Sequence, residues 1–246
     1  MFWRFGGYAT ISTVDTLLDK PDVSLEELLD EAELISELKQ HNTKLIEYLR
    51  EDHILKRLME YVVAPPLINE DDDHDEADDA DDAHESDKPA KQGDDDESSE
   101  DKDKHDLLDS EDLDRADKQR SKFAYIACEI LSSETWSILE SIMLNEVYLR
   151  DFWDFVKRPA PLDSLQAGYF TKINEVLFDK KTEEMLQFFK SLTDVIPSIL
   201  QHIDNPMVMD LLLKIVSLEK VEGGQGTVDV SIRVSLFDED YMLMIF

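Results

Sequence analysis

An acidic run in the first half of the chain sets the strongest limit on how this sequence can fold. Between residues 70 and 114, 24 of 45 residues are Asp or Glu and four are Lys, so the run carries a charge of −20. From Glu70 to Asp106 the only apolar side chains are those of four alanines. Such a segment buries too little apolar surface to offset its ordering entropy. The sequence therefore predicts a disordered acidic insert at residues 69–117.

The charge of the whole chain is −33, so the 201 residues outside the acidic run carry −13. Binding to nucleic acid needs Lys and Arg to neutralise phosphates, and this balance argues against it. The same balance argues against docking on an anionic membrane surface. No apolar run approaches the roughly 20 residues that cross a bilayer, and the start of the chain lacks the features of a signal peptide. We therefore expect a cytoplasmic protein with access to the nucleus.

Glycine and cysteine are too scarce for most cofactor sites. Only seven glycines occur, and no cluster of them opens a helix as a dinucleotide-binding turn or a phosphate loop requires. A single cysteine, Cys128, excludes a disulfide framework and a CxxC metal site. The sequence thus predicts no cofactor, no metal and no small-molecule ligand.

The amino-terminal block, residues 1–68, has the pattern of short helices. Ser24 and Glu27 fit a capping box, in which each side chain satisfies a free backbone N–H of the other residue. Asn42 and Asp52 are candidate caps of two further helices, each followed by apolar residues at helical spacing. Prolines at 65 and 66 end the last of these helices.

The second block, residues 118–229, continues the same pattern. The turn Asp204-Asn205-Pro206 separates two apolar helices and predicts a helical hairpin, with Pro206 at a first helical position. Repeated hairpins build armadillo- or HEAT-like solenoids, so we predict an all-α helical-repeat solenoid fragment, with a compact helical bundle as the alternative. The apolar faces predicted in the first half of this block are Phe123, Ala124, Ile126, Ala127, Ile130 and Leu131; Trp136, Ile138, Leu139, Ile142 and Met143; and Val147, Leu149, Phe152, Trp153 and Val156.

Candidate catalytic groups do not form a constellation. His74, His84 and His105 lie in the acidic run, where a solvated tail is favoured over weak binding of divalent cations. The other histidines, at 41, 53 and 202, lie on separate predicted helices or at their ends. Cys128 has apolar neighbours and is expected to be a buried small hydrophobe. We therefore predict that the chain is not an enzyme.

Two further features suggest regulation or binding. Ser98 has an acidic residue at the third following position, a pattern that acidophilic kinases favour, so it is a candidate phosphorylation site alongside the simpler interpretation as a solubilising residue. The aromatic start, Phe2-Trp3-Arg4-Phe5, is expected to pack on the first helices, with anchoring of a partner as the alternative.

Longer stretches of the sequence resemble the SAPS-domain family of phosphatase-associated regulatory subunits, and the fungal members most. The opening MFWRFGGYATISTVDTLLDKP carries this resemblance, which resumes after the acidic insert in KFAYIACEILSSETWSILESIMLNE, in FWDFV and in NPMVMDLLLKIVSLEKVEGGQGTVD. The resemblance implies a helical-repeat scaffold that binds the catalytic subunit of a type-2A-like serine/threonine phosphatase of the type-6 class. It also implies roles in selecting substrates during cell-cycle progression and growth signalling, and it assigns no partner-binding residues.

The carboxyl end departs from the family pattern. In the family the segment like GGQGTVD is followed by a Trp-Leu pair and further helices, whereas here VSIRVSLFDEDYMLMIF follows Asp229. We therefore expect a truncated member, whose tail at residues 230–246 is either translated from an unspliced intron or an artefact of the gene model.

A different class of function is an acidic, chaperone-like binder of basic proteins that acts through residues 70–114.

Overall fold

The computed structural model describes residues 12–67, 100–220 and 227–228 of the protein. These residues form twelve α-helices, one 3₁₀ helix at Asp154–Lys157 and two strands of two residues each. The α-helices are α1 (Thr13–Leu18), α2 (Leu25–Leu29), α3 (Leu34–Lys39), α4 (Thr43–Leu49), α5 (Asp52–Val63), α6 (Glu100–Leu131), α7 (Trp136–Leu144), α8 (Glu146–Trp153), α9 (Ser164–Lys180), α10 (Thr182–Ser191), α11 (Val195–Leu200) and α12 (Pro206–Ser217). The all-α fold class is confirmed, and the run of short stacked helices agrees with a helical-repeat solenoid.

The chain divides into two compact units. The first takes in the described residues up to Ala64 and those from Phe123 onward, and the second takes in those between Pro65 and Lys122. One cluster of buried apolar side chains runs through the first unit from Val14 in α1 to Ile215 in α12. Burial of these faces supplies the main driving force for folding, because helices as short as α1 to α4 are marginal in isolation.

The predicted caps of the first helices are largely confirmed. The Ser24 hydroxyl accepts the backbone N–H of Glu27 at 3.2 Å, and the side-chain oxygen of Asn42 accepts that of Leu45 at 3.2 Å. The third cap is displaced by one residue, because α5 has Glu51 at its N-cap and Asp52 in its first turn. The Asp52 carboxylate instead accepts the side-chain amide of Asn145 at 3.1 Å, so it joins α5 to the start of α8.

Aromatic side chains fill the middle of the first unit. The Trp153 ring lies 5.2 Å from Phe170 and 5.5 Å from Phe189, centroid to centroid, in edge-to-face arrangements. Phe155 of the 3₁₀ helix lies 5.2 Å from the same Phe170. Rings in such geometry add stabilisation beyond the area that they bury, so α8, α9 and α10 are fixed against one another.

The predicted Asn-Pro turn is present, but its two helices have their main partners elsewhere. Pro206 is the first residue of α12, and the Asn205 side chain accepts the Met207 N–H at 3.0 Å. Helix α12 packs chiefly on α9, whose Thr171 hydroxyl donates to the Met207 carbonyl at 3.0 Å. Helix α11 packs on the 3₁₀ helix at Asp154–Lys157. Local turn signals identify the connection, whereas the packing partners depend on the whole core.

Helix α6 overlaps the carboxyl end of the predicted insert. We predicted an insert at residues 69–117, and the helix runs from Glu100 to Leu131. Acidic residues at a helix amino terminus favour the macrodipole, and within the helix Asp112 pairs with Arg115 at 2.9 Å and Asp117 with Arg120 at 3.0 Å. The rest of the predicted insert, residues 69–99, lies outside the described residues.

The carboxyl end of the described chain is a short antiparallel pair. Glu219 lies opposite Val228, and Lys220 lies opposite Thr227. The aromatic start at residues 2–5 and the predicted intron-derived tail at residues 230–246 both lie outside the described residues. Within the part that the structure describes, none of the helices is long and apolar enough to cross a membrane.

Candidate docking surface

The structure describes only some of the candidate residues from the sequence. Ser98, His74 and His84 lie outside the described residues, as does the side chain of His105. His41 and His53 are exposed, at the ends of α3 and α5, and His202 is buried after α11. Among the described residues no group of three or more His, Cys, Asp and Glu side chains is placed to hold a metal ion.

Cys128 and His202 have structural surroundings. The Cys128 thiol lies in the core against the Tyr169 carbonyl at 3.9 Å, and burial raises its pKa to about 11. A thiol with that pKa is almost entirely protonated at neutral pH and is therefore a poor nucleophile. The His202 Nε2 atom lies 3.0 Å from the Val156 carbonyl, which ties the end of α11 to the 3₁₀ helix.

The outer face of α7 carries the largest exposed apolar side chains of this part of the fold. Trp136, at the first position of α7, is 67% exposed, and Leu144, at the last, is 73% exposed. Residues 136, 140 and 144 follow the i, i+4, i+8 spacing of one helix face. The opposite face, with Ile138, Leu139 and Ile142, is buried. We name the stripe of Trp136, Glu140 and Leu144 the α7 stripe.

A network of charges holds the amino-terminal end of the α7 stripe. The Lys181 ammonium lies 4.8 Å from the centroid of the Trp136 ring and pairs with Glu140 and, at 3.9 Å, with Glu184. Next to it, Lys180 pairs with Glu134 at 2.6 Å. Lys181 is only 8% exposed, so its charge is held in place beneath the indole. A buried cation needs an ion-pair partner to offset the cost of its desolvation, and these carboxylates are the partners.

The turn before α7 is constrained as well. Glu134 has a backbone φ of 58°, a left-handed conformation that is uncommon for a residue other than glycine. The Ser133 hydroxyl donates to the Thr135 hydroxyl at 3.0 Å and accepts the Thr135 N–H at 3.4 Å. These bonds fix the direction in which the chain enters α7, and so they fix the position of Trp136.

Two apolar side chains, on α7 and α8, are exposed contrary to the prediction from the sequence. Trp136 and Val147 were predicted on buried faces, whereas both are exposed. For Val147 the spacing contained the signal, because the residues three and four positions later, Arg150 and Asp151, are charged. For Trp136 it did not, because Leu139 and Met143 follow at the spacing of one helix face.

A second surface feature is a small groove of about 70 Å³ between α5 and α8. Its lining includes Met59, Val63 and Phe152 with Lys56, Glu60 and Tyr148 around them. Lys56 lies 5.9 Å from the Tyr148 ring centroid and 3.8 Å from the Glu60 carboxylate, so its charge is already partnered within the groove.

Stacked short helices on a continuous apolar core, with large apolar side chains exposed on α7, define a helical-repeat protein with a surface suited to docking. The chain matches the family model SAPS, described as SIT4 phosphatase-associated protein, over residues 174–240. The resemblance to the SAPS family that the sequence indicates is therefore confirmed. The match extends into the tail, whose origin from an unspliced intron stays a prediction.

Three relatives show how far the similarity extends. Extragenic suppressor of kinetochore protein 1 of Schizosaccharomyces pombe is 33% identical over 93% of this chain. SIT4-associating protein SAP190 of Saccharomyces cerevisiae is 32% identical over 84% of this chain, and serine/threonine-protein phosphatase 6 regulatory subunit 3 of Gallus gallus is 28% identical over 88%. The chain spans 23%, 22% and 20% of the length of these three relatives, respectively. No solved structure matches the chain.

Proposed function

We propose that this chain is a non-catalytic regulatory and scaffold subunit that binds the catalytic subunit of a type-2A-like serine/threonine phosphatase of the type-6 class. The observation that carries the proposal is the similarity over more than four fifths of the chain to proteins named as a SIT4-associating protein and a phosphatase 6 regulatory subunit. The helical-repeat fold supports it, because stacked helices present extended surfaces for binding other proteins.

The proposed mechanism is docking followed by placement of the bound phosphatase near its substrates. The described side chains suit this role, since Cys128 is buried and protonated and the outer face of α7 exposes Trp136 and Leu144. Hydrolysis then belongs to the metal-dependent catalytic subunit, and this chain contributes affinity and choice of substrate. The comparisons favour this function over binding of basic proteins through residues 70–114.

The finer parts of the proposal concern cellular role and control. We place the protein in cell-cycle and growth signalling, in the cytoplasm with access to the nucleus. The name of the Schizosaccharomyces pombe relative, which refers to the kinetochore, supports a role in division. Ser98 remains the proposed phosphorylation site, because a phosphate there would add to the acidic run.

A direct binding experiment tests the function. The full chain is titrated with a purified type-6-class catalytic subunit, and a type-1 catalytic subunit serves as the control for selectivity. We expect saturable binding of the first, with a dissociation constant at least about tenfold lower than that of the second, and no phosphatase activity from the chain alone. Equal or absent binding of the two enzymes would refute the proposed function.

A further inference from the structure

Trp136 is placed as an anchor for another protein. Tryptophan is enriched among the residues that dominate binding energy at interfaces, where it fills a pocket on the partner. Here the ring stands 67% exposed at the first turn of α7, whereas Trp153 in the same unit is buried. Leu144 is exposed eight residues further along the same helix face, about 12 Å away at the helical rise of 1.5 Å per residue.

The two faces of the indole differ. Lys181 lies against one side of the ring at 4.8 Å and is itself almost buried. Because two thirds of the side chain remains exposed, the other side of the ring is available to a partner. The faces of an indole attract cations, and arginine is the side chain that most often stacks on them.

The charges around the ring favour a cationic occupant. Three carboxylates, from Glu134, Glu140 and Glu184, surround two ammonium groups, from Lys180 and Lys181, and both ammonium groups are paired. The cluster therefore has one negative charge in excess. Glu134 and Glu184 are more than half exposed, so they can pair with a cation that arrives from outside.

We propose that the α7 stripe, together with Glu134 and Glu184, binds a surface segment of the phosphatase catalytic subunit in which an arginine or lysine is adjacent to apolar side chains. The cation stacks on the free face of Trp136 and pairs with the exposed carboxylates, while the apolar side chains cover Leu144. This inference rests on the proposed function and adds the location and chemistry of the interface. The charge complementarity of the cluster selects a basic segment over a neutral or acidic one.

The preorganised turn before α7 strengthens this assignment. The left-handed Glu134 and the hydrogen bonds between Ser133 and Thr135 hold the indole and the Glu134 carboxylate in fixed positions before a partner arrives. A fixed anchor loses less conformational freedom on binding than a mobile one, which raises affinity for the same contacts.

The test measures binding of a purified type-6-class catalytic subunit to the full chain and to four variants. Trp136→Ala and Leu144→Asp remove the two apolar ends of the stripe, and Trp136→Phe keeps a ring that can stack. Leu165→Ala is the matched control, because Leu165 is 54% exposed but lies near the start of α9, about 24 Å along the helix from Lys181.

We expect Trp136→Ala and Leu144→Asp each to weaken binding about tenfold or more, Trp136→Phe to retain part of it, and Leu165→Ala to change it less than about twofold. Thermal unfolding of each variant should match that of the unmodified chain, since the changed side chains are exposed. If the unmodified chain binds and Trp136→Ala binds equally well, this inference is wrong and the proposed function stands. If the unmodified chain does not bind, both are wrong.

A peptide that contains an arginine beside apolar residues tests the alternative that the α7 stripe binds a substrate of the phosphatase. Such a peptide should compete with the catalytic subunit for the unmodified chain, and the competition should weaken as salt rises from 50 to 300 mM. Simultaneous binding of peptide and catalytic subunit, with the peptide alone sensitive to Trp136→Ala, would assign the stripe to a substrate and overturn the proposal.

Discussion

Burial decides the chemistry of single side chains in this protein more than residue type does. Cys128 and Trp136 are both residues that commonly act at functional sites. The core removes Cys128 from solvent and raises its pKa to about 11, whereas the turn before α7 leaves Trp136 exposed. The sequence predicted the first correctly from its apolar neighbours. It misplaced the second, because an apolar residue at the edge of an apolar segment resembles a core residue.

The Cys128 thiol should react slowly in the folded protein. With a pKa of about 11, roughly one thiol in a thousand is ionised at pH 8, compared with about one in four for an ordinary thiol. We expect labelling by a disulfide reagent at pH 8 to be at least about a hundredfold slower in buffer than in 6 M guanidinium chloride. The control is free cysteine in both solvents. Rapid stoichiometric labelling of the native chain would contradict the buried position.

Helix boundaries follow local signals where a side chain can cap the backbone. Ser24 and Asn42 were predicted as caps from the sequence, and each caps its helix in the structure. Packing partners were not recognisable, because α11 and α12 are neighbours in sequence yet pack mainly on different elements. Which apolar face meets which depends on the summed fit of the core, and local periodicity carries no information on that fit.

Asn42 should contribute more stability than a simple cap. Its oxygen caps α4, while its amide donates to Asp15 at 2.9 Å and to Glu37 at 3.0 Å, so one side chain links α1, α3 and α4. We expect Asn42→Ala to lower the free energy of unfolding by about 2 kcal/mol and Ser24→Ala, which removes one cap bond, by about 1 kcal/mol. Urea denaturation of the two variants provides the comparison. Equal losses would show that the bonds to Asp15 and Glu37 add nothing.

At the scale of the whole molecule, most of the negative charge lies in one segment of the chain, and most of the apolar side chains lie outside it. The acidic run explains most of the net charge of −33, and the remaining 201 residues are only moderately acidic at −13. The sequence predicted this division from composition alone. Helix α6 begins at Glu100, within the acidic run. Composition shows where an apolar segment ends. A helix can extend past that point when charges near its terminus and ion pairs along it stabilise it.

The acidic residues before α6 should be dispensable for binding of the phosphatase. Residues 70–99 contain sixteen acidic side chains and two lysines, and replacing the acidic ones by Asn and Gln changes the net charge of the chain from −33 to −17 without shortening it. We expect the dissociation constant for a type-6-class catalytic subunit to stay within about threefold at 150 mM salt, because charges outside the interface act mainly on the association rate and are screened. Binding of a basic protein such as a histone should fall by far more, since it depends on the summed field of the acidic run. Loss of phosphatase binding with retention of histone binding would reverse the assignment of function and favour the acidic binder.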